Sequence, residues 1–200
     1  MTSALQRDDD GNPTYEFKAS LVGAMCQFTL KPEALHWQVG RRSGSVRYDR
    51  VRAVRLSYRP VTMQSHRFVA EIWPAGQPKF QIISVSWRSM INQQRLDAAY
   101  TGFITELHRR IAAASSGTQF STGLPIVTYW TGVVVFAAVL LAAAVFTLRA
   151  VRIAQWGASA IIGVFFAVFA YQLGQYFYRN WPMRYGPDAI PAMVMPKVDG

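Results

Sequence analysis

The chain has 200 residues, 51% of them hydrophobic, and its 21 Lys and Arg against 11 Asp and Glu give a net charge of +10. This length allows one ordinary domain of about 100–150 residues and a further segment. The single cysteine, Cys26, excludes an intrachain disulfide and a cysteine-based metal site. The three histidines lack zinc-ligand spacing, so the sequence predicts neither a metal site nor a cofactor.

The first 13 residues are polar and contain the acidic run Asp8-Asp9-Asp10. They lack the basic start and apolar stretch of a signal peptide, so we expect residues 1–13 to form a disordered tail. The run also lacks the ligand spacing of a calcium loop, which favours a solvated surface over a cation site.

Hydrophobic and polar residues alternate with a period of two from Tyr15 onward, which is typical of strands with one buried face. The glycines of Gly40-Arg41-Arg42-Ser43-Gly44 predict a hairpin turn between two such strands. About seven short strands in all indicate an antiparallel sandwich or barrel. An amphipathic helix then follows from Leu96 to Ile111, either covering the open end of the sheet or forming a dimer contact.

Two strand segments carry a resemblance to a known family. The segment FTLKPEALHWQVG, which begins at Phe28, and the segment VRYDRVRAVRL, which begins at Val46, resemble bacterial pleckstrin-homology-like (PH-like) domains of membrane proteins. In that family a Thr-Leu…aromatic strand precedes a glycine turn and an aromatic-Asp-x-hydrophobic-x-x-Val return. The resemblance implies an α+β PH-like domain over residues 14–114, an antiparallel β sandwich or barrel capped by one C-terminal helix.

Two uncharged apolar segments, Ile126–Leu148 and Ile153–Tyr178, follow a Ser-, Thr- and Gly-rich stretch at residues 115–125 that predicts a linker. Each segment is long enough to cross a hydrocarbon core about 30 Å thick as a helix. The part from Val133 to Val145 has no polar stripe, which a helix of a soluble core needs. We therefore expect a two-helix transmembrane hairpin over residues 126–178.

Small residues recur at four-residue spacing in both apolar segments. Ser159, Gly163 and Ala167 lie on one face of the second segment, and Ala138 and Ala142 provide a matching face on the first. Because small side chains let two helix backbones approach closely, these residues predict the packing surface of the hairpin.

The distribution of arginines predicts the orientation of the hairpin. Four arginines lie on the terminal side of the segments and two lie between them, namely Arg109, Arg110, Arg179 and Arg184 against Arg149 and Arg152. Positive residues favour the cytoplasmic side, so we expect a multi-pass protein of the bacterial inner membrane with both termini in the cytoplasm. Residues 179–200 contain four prolines and predict a tail that is not a third span but could dock on this protein or another.

No nucleophile-elbow, phosphate-loop or CxxC motif occurs, and neither apolar segment carries a carboxylate. We therefore expect a membrane-anchored PH-like interaction module, not an enzyme, that recognises a protein partner or an anionic lipid surface. Two alternatives stay open. The chain could be an accessory subunit of a larger membrane complex, or a membrane enzyme acting on lipid with Asp49, Glu71 and His108 as candidate acid–base residues.

Most of the positive charge precedes the apolar segments, since residues 1–125 hold 16 Lys and Arg against 9 Asp and Glu. Arg41 and Arg42 lie in the glycine-bounded turn, and Arg47 follows on the returning strand. Guanidinium groups match phosphate and carboxylate oxygens well. These three arginines are therefore the predicted binding site for anionic headgroups or a membrane protein partner, and we expect no nucleic-acid partner.

Overall fold

The computed structural model describes residues 5–60, 66–88, 93–114, 117–152 and 156–197. The chain divides into two compact units. Unit 1 combines Met1–Gly123 with Met183–Gly200, and unit 2 is Leu124–Pro182. The predicted combination of N-terminal antiparallel sheets with a C-terminal hairpin of two long apolar helices is confirmed.

The first sheet of unit 1 is an antiparallel meander of five strands in chain order. Side chains alternate between its faces, so that Tyr15, Phe17 and Phe28 are buried while Glu16 is exposed. The strands are β1 (Gln6–Arg7), β2 (Pro13–Lys18), β3 (Met25–Leu30), β4 (Ala34–Val39) and β5 (Arg42–Arg47).

The turn between β4 and β5 is tighter than the sequence pattern predicted. Strand pairing leaves only Gly40 and Arg41 between the strands, and Gly40 has a φ of +60°, which glycine adopts without steric cost. Gly44 lies inside β5, where an added Cβ would be 2.7 Å from the Trp37 ring. Gly44 therefore allows the Trp37 ring to pack closely across the strand pair and is not part of the turn.

The second sheet of unit 1 has four strands in the order β11-β6-β7-β8. A 3₁₀ turn at Tyr48–Arg50 leads into it, and a register shift follows between Val51 and Ala53. Two short strands, β9 and β10, pair separately. The bounds are β6 (Val51–Pro60), β7 (His66–Pro74), β8 (Phe80–Ile83), β9 (Val85–Trp87), β10 (Gln93–Arg95) and β11 (Gln119–Thr122).

Strand β11 lies in the stretch that the sequence analysis assigns to a linker. It pairs in parallel with β6, and its residues Phe120 and Thr122 are 6% and 1% exposed. The alternation of buried and accessible residues is present in Gln119–Thr122 but covers only four residues. Its Ser and Thr content is equally typical of a linker, which explains the difference.

Helix α1 (Asp97–Ala114) packs its hydrophobic stripe into the core of unit 1. Tyr15 of β2 contacts both Tyr100 and Phe103, with ring centroids 6.1 and 5.5 Å apart. The apolar residues of the predicted stripe are all buried in this core and are therefore not free for a dimer contact; they are Leu96, Tyr100, Phe103, Ile104, Leu107 and Ile111.

The C-terminal segment returns from the hairpin to unit 1. Arg184 forms an antiparallel bridge with Ser121, and a 3₁₀ turn at Ala192–Val194 follows. Val194 is fully buried and Met195 is 9% exposed, and both belong to the same hydrophobic core as the sheets and α1. The docking considered for this segment therefore takes place on the chain itself.

Unit 2 is a hairpin of helices α2 (Ile126–Arg152) and α3 (Trp156–Arg179). Each is long and apolar enough to cross a membrane, and only 6% and 0% of their most apolar parts are buried. The hairpin therefore exposes apolar side chains along both helices.

The ring contacts between the two helices involve residues other than those predicted. Tyr129 and Phe136 of α2 contact the ring of Phe177, with centroids 5.6 and 5.5 Å apart. Their seven-residue spacing continues to Ala143, which is buried. Of the predicted packing residues, Ala138, Ala142 and Ala167 are exposed, Gly163 is half-buried and Ser159 is buried.

We predict that Gly132→Leu destabilises the hairpin. An added Cβ at Gly132 would lie 3.0 Å from Cε1 of Phe177, so a leucine there forces the helices apart. The measurement is the thermal unfolding temperature of the full chain in detergent, which we expect to fall by several degrees. Gly163→Leu is the matched control, because an added Cβ there meets nothing within 4 Å. Equal losses in both variants would contradict the described contact face.

Candidate anion-binding face

The structure does not bring the three predicted arginines together. Arg41 lies in the turn and Arg42 begins β5, whereas Arg47 ends the same strand. A separation of five residues along a strand corresponds to about 16 Å. Arg47 also donates two hydrogen bonds to Asp49, from Nε to Oδ1 at 3.1 Å and from Nη2 to Oδ2 at 2.9 Å. Only Arg41 and Arg42 therefore form a local pair of exposed cations.

A second group of cations lies on one face of the sheet formed by β6, β7 and β8. The opposite face carries core residues such as Leu56 and Ile72. In the strand register Arg59 lies directly opposite Arg67, and Arg55 lies opposite Glu71. Residues directly opposite each other share a face, so these side chains are neighbours. We call this surface the basic face; it comprises Arg55, Ser57, Arg59, Arg67, Glu71, Trp73, Lys79 and Gln81.

Glu71 is the acidic centre of the basic face and its side chain is only 6% exposed. Its Oε1 accepts hydrogen bonds from Lys79 Nζ and Gln81 Nε2, both at 2.8 Å, and from Arg59 Nη2 at 3.3 Å. Burial acts to raise the pKa of Glu71, but the hydrogen bonds from Lys79 and Gln81 and the nearby positive charges lower it below its ordinary value. The carboxylate is therefore ionised and holds two cations in place.

Trp73 provides an aromatic surface for two of the cations. The guanidinium carbon of Arg55 lies 5.1 Å from the ring centroid, and Nζ of Lys79 lies 5.3 Å from it. Both distances fall within the range of cation–π attraction. Arg55 and Lys79 are thus positioned by the indole ring.

Two buried donors of the basic face have no hydrogen-bond partner within the described residues. They are Nε of Arg67 and the Oγ of Ser57, whose residue is 3% exposed. Burial and the adjacent charge of Arg59 lower the pKa of Arg67. The face as a whole sets four cations against one carboxylate.

The candidate acid–base residues of the enzyme alternative have separate partners. Asp49 pairs with Arg47, and Glu71 belongs to the basic face. His108 is fully buried, and its Nδ1 lies 2.7 Å from the carbonyl oxygen of Ile104. Over the described ranges, no group of three His, Cys, Asp or Glu side chains is placed to hold a metal ion.

His108 ties the returning C-terminal segment to α1. Because Nδ1 donates to the carbonyl of Ile104, Nε2 is the acceptor for the hydroxyl of Tyr185, 2.9 Å away. The Phe120 ring also packs on His108, with centroids 4.9 Å apart. Burial lowers the pKa of His108 to about 4, so the ring is neutral near pH 7.

No protein-family model matches the sequence, and the searches of curated proteins and of solved structures also found no match.

We predict that His108 makes unit 1 sensitive to mild acid. The unfolded ring has a pKa near 6.5, whereas the folded ring has one of about 4. The unfolded state therefore binds more protons in this window, and stability falls as the pH drops from 7 to 5, by about 2 kcal/mol. Chemical unfolding of the full chain at both pH values measures the loss. We expect His108→Phe to remove most of it and Tyr185→Phe to retain it; an unchanged loss in His108→Phe would refute the assignment.

We also predict that Glu71→Gln lowers the free energy of unfolding by about 2 kcal/mol, because charge-assisted hydrogen bonds from Lys79, Arg59 and Gln81 weaken together. Denaturant unfolding of the full chain measures the change. Glu16→Gln, at an exposed position of β2, is the control, with an expected change within about 0.5 kcal/mol. Equal effects at the two positions would show that Glu71 does not organise the face.

Proposed function

We propose that the chain is an integral protein of the bacterial inner membrane whose unit 1 binds anionic groups at the membrane surface. The exposure of unit 2 is the observation that carries this proposal. Side chains such as Leu141 and Val164 are 68% and 66% exposed along helices of membrane-spanning length. A continuous apolar surface of this size is unfavourable in water and favourable in a bilayer.

The connections of the hairpin support the same topology. Unit 1 runs into unit 2 at Gly123–Leu124 and resumes at Pro182–Met183, with no intervening residues. A hairpin that crosses a bilayer twice returns the chain to the side from which it started. A domain assembled from segments before and after the hairpin requires such a return. In the proposed arrangement this side is the cytoplasmic one, which the arginine distribution favours.

The proposed module is PH-like. The support is a succession of two antiparallel meanders, β1–β5 and β6–β8, followed by one helix whose stripe lies in their common core. Strand β11 and the returning C-terminal segment are additions to that plan.

Binding of anions, rather than catalysis, is the role that the charged side chains support. Glu71 is engaged by cations and His108 by the core, so neither is presented to a reacting group. The basic face offers positive charge beside an aromatic ring instead. Anionic lipid headgroups are the partner we favour, because a tether to the bilayer keeps them at high local concentration.

Alkaline carbonate extraction of membranes from cells expressing the full chain tests the membrane assignment. We expect the native chain to remain in the membrane pellet. Leu141→Arg/Val164→Arg should lose this retention, because each central charge costs about 2.5–3.5 kcal/mol on insertion. The control is Val22→Arg, at a residue of unit 1 that is 99% exposed, which should behave as the native chain. Release of the native chain into the supernatant would overturn the proposal.

A further inference from the structure

The basic face contains a pair of like charges that no described side chain fully balances. Arg59 and Arg67 lie directly opposite each other on adjacent antiparallel strands. Like charges in this arrangement repel, since the side chains start about 5 Å apart. Arg59 is partly compensated by Glu71, 3.3 Å away. Within the described residues, Nε of the Arg67 side chain has no hydrogen-bond partner.

The unpartnered donors lie beside this pair. Nε of Arg67 and Oγ of Ser57 are buried from solvent, and the Ser57 residue is 3% exposed. Ser57 lies on the same face of β6 as Arg59, two residues earlier. Burying donors without an acceptor costs free energy, so native structures pair them with protein, water or a ligand. Glu71 does not serve them, because its described hydrogen bonds go to Arg59, Lys79 and Gln81.

We propose that Arg59, Arg67 and Ser57 form a binding site for a phosphate monoester. A planar guanidinium matches two phosphate oxygens at once, and a serine hydroxyl donates to a third. The net positive charge of the basic face indicates the class of ligand. The four cations of the basic face exceed the single carboxylate by three, and a monoester at neutral pH carries about −1.5 to −2. A bound monoester therefore removes most of the excess and gives both buried donors an acceptor.

The remaining side chains of the face hold the site in shape. Lys79 and Arg55 lie over Trp73, and Lys79 also bonds Glu71. Arg59 shares Glu71 only through the longer contact of 3.3 Å, and Nε of Arg67 has no acceptor within the described residues, so this pair is the one that faces the ligand. The proposal deepens the proposed function, because a lipid headgroup and a soluble metabolite share this phosphate chemistry.

The experiment uses the full chain in phosphatidylcholine nanodiscs and follows its unfolding temperature. One arm adds inorganic phosphate, compared with chloride at equal ionic strength. The other replaces part of the lipid by phosphatidic acid, compared with phosphatidylserine at equal charge. A ligand that binds only the folded state raises the unfolding temperature as its concentration rises, which gives an apparent Kd. A specific rise in the first arm identifies a soluble source, and a rise in the second alone identifies a lipid source.

Matched variants decide whether the response belongs to this site. We expect Arg67→Gln and Arg59→Gln to weaken the apparent Kd for phosphate by about tenfold or more, and Ser57→Ala to weaken it less. Arg50→Gln removes the same charge from an exposed position outside the face and should leave the Kd unchanged. Without phosphate, Arg67→Gln should be at least as stable as the native chain, because it removes a like-charge contact. This separates lost binding from lost folding.

The proposal is overturned if neither arm raises the unfolding temperature above its control, or if Arg50→Gln weakens binding as much as Arg67→Gln. Its failure is distinct from that of the membrane assignment. If the chain resists carbonate extraction but its unfolding temperature does not respond to phosphate, the membrane assignment stands and only the phosphate site is refuted.

Discussion

The core of unit 1 requires residues from both sides of the apolar hairpin. Tyr185 forms a hydrogen bond with His108 of α1, and Val194 is buried with the sheets although the whole of unit 2, Leu124–Pro182, lies between it and β11 in the sequence. Hydrophobic burial therefore fixes the returning segment to the sheet and the helix. The antiparallel bridge between Ser121 and Arg184 places the segment that precedes α2 beside the segment that follows α3. The hairpin is thus an insertion into a domain, not an appendage at its end.

Pairing of charges within unit 1 decides which cations are free to act. Arg109 and Arg110 both donate to Glu106, and the hydrogen bond from Arg109 is the main cause that lowers the pKa of Glu106 to about 2. Arg110 also donates to the carbonyl oxygens of Leu30 and Lys31, which ties α1 to the first sheet. Arg109 and Arg110 therefore stabilise the fold through these contacts. Net charge alone therefore overstates the number of cations that can meet a ligand.

The sequence predicted those elements whose hydrophobic pattern lies within a short stretch of the chain. Alternation around Tyr15 and Phe17 predicted strands, and the stripe that includes Tyr100 and Ile111 predicted a buried helix; both are confirmed. The length of the apolar segments likewise predicted two helices, and their exposure agrees with that interpretation. In each case the deciding information lies within about 20 consecutive residues.

The candidate site depends on information that is not local. Arg55 and Arg59 share a face by their spacing in β6, but their position beside Arg67 and Glu71 depends on the strand register. A shift of one residue would have moved them to the other face. Helix packing in unit 2 shows the same limit. Small residues such as Ala138 predicted a contact face, but the bulky ring of Phe177 packs against Gly132 and sets another rotation of the helices.

The return of the chain after α3 also imposes an order on biosynthesis. A ribosome makes the sheets and α1 first, then the two apolar helices, and only then the segment that carries Tyr185 and Val194. The fully buried position of Val194 stays empty until that segment emerges, so unit 1 completes its core after the hairpin has left the ribosome. A nascent chain halted before Met183 lacks Tyr185 and Val194 and leaves this part of the core of unit 1 incomplete. The segment that follows α3 can therefore complete the core only after the whole hairpin has been made.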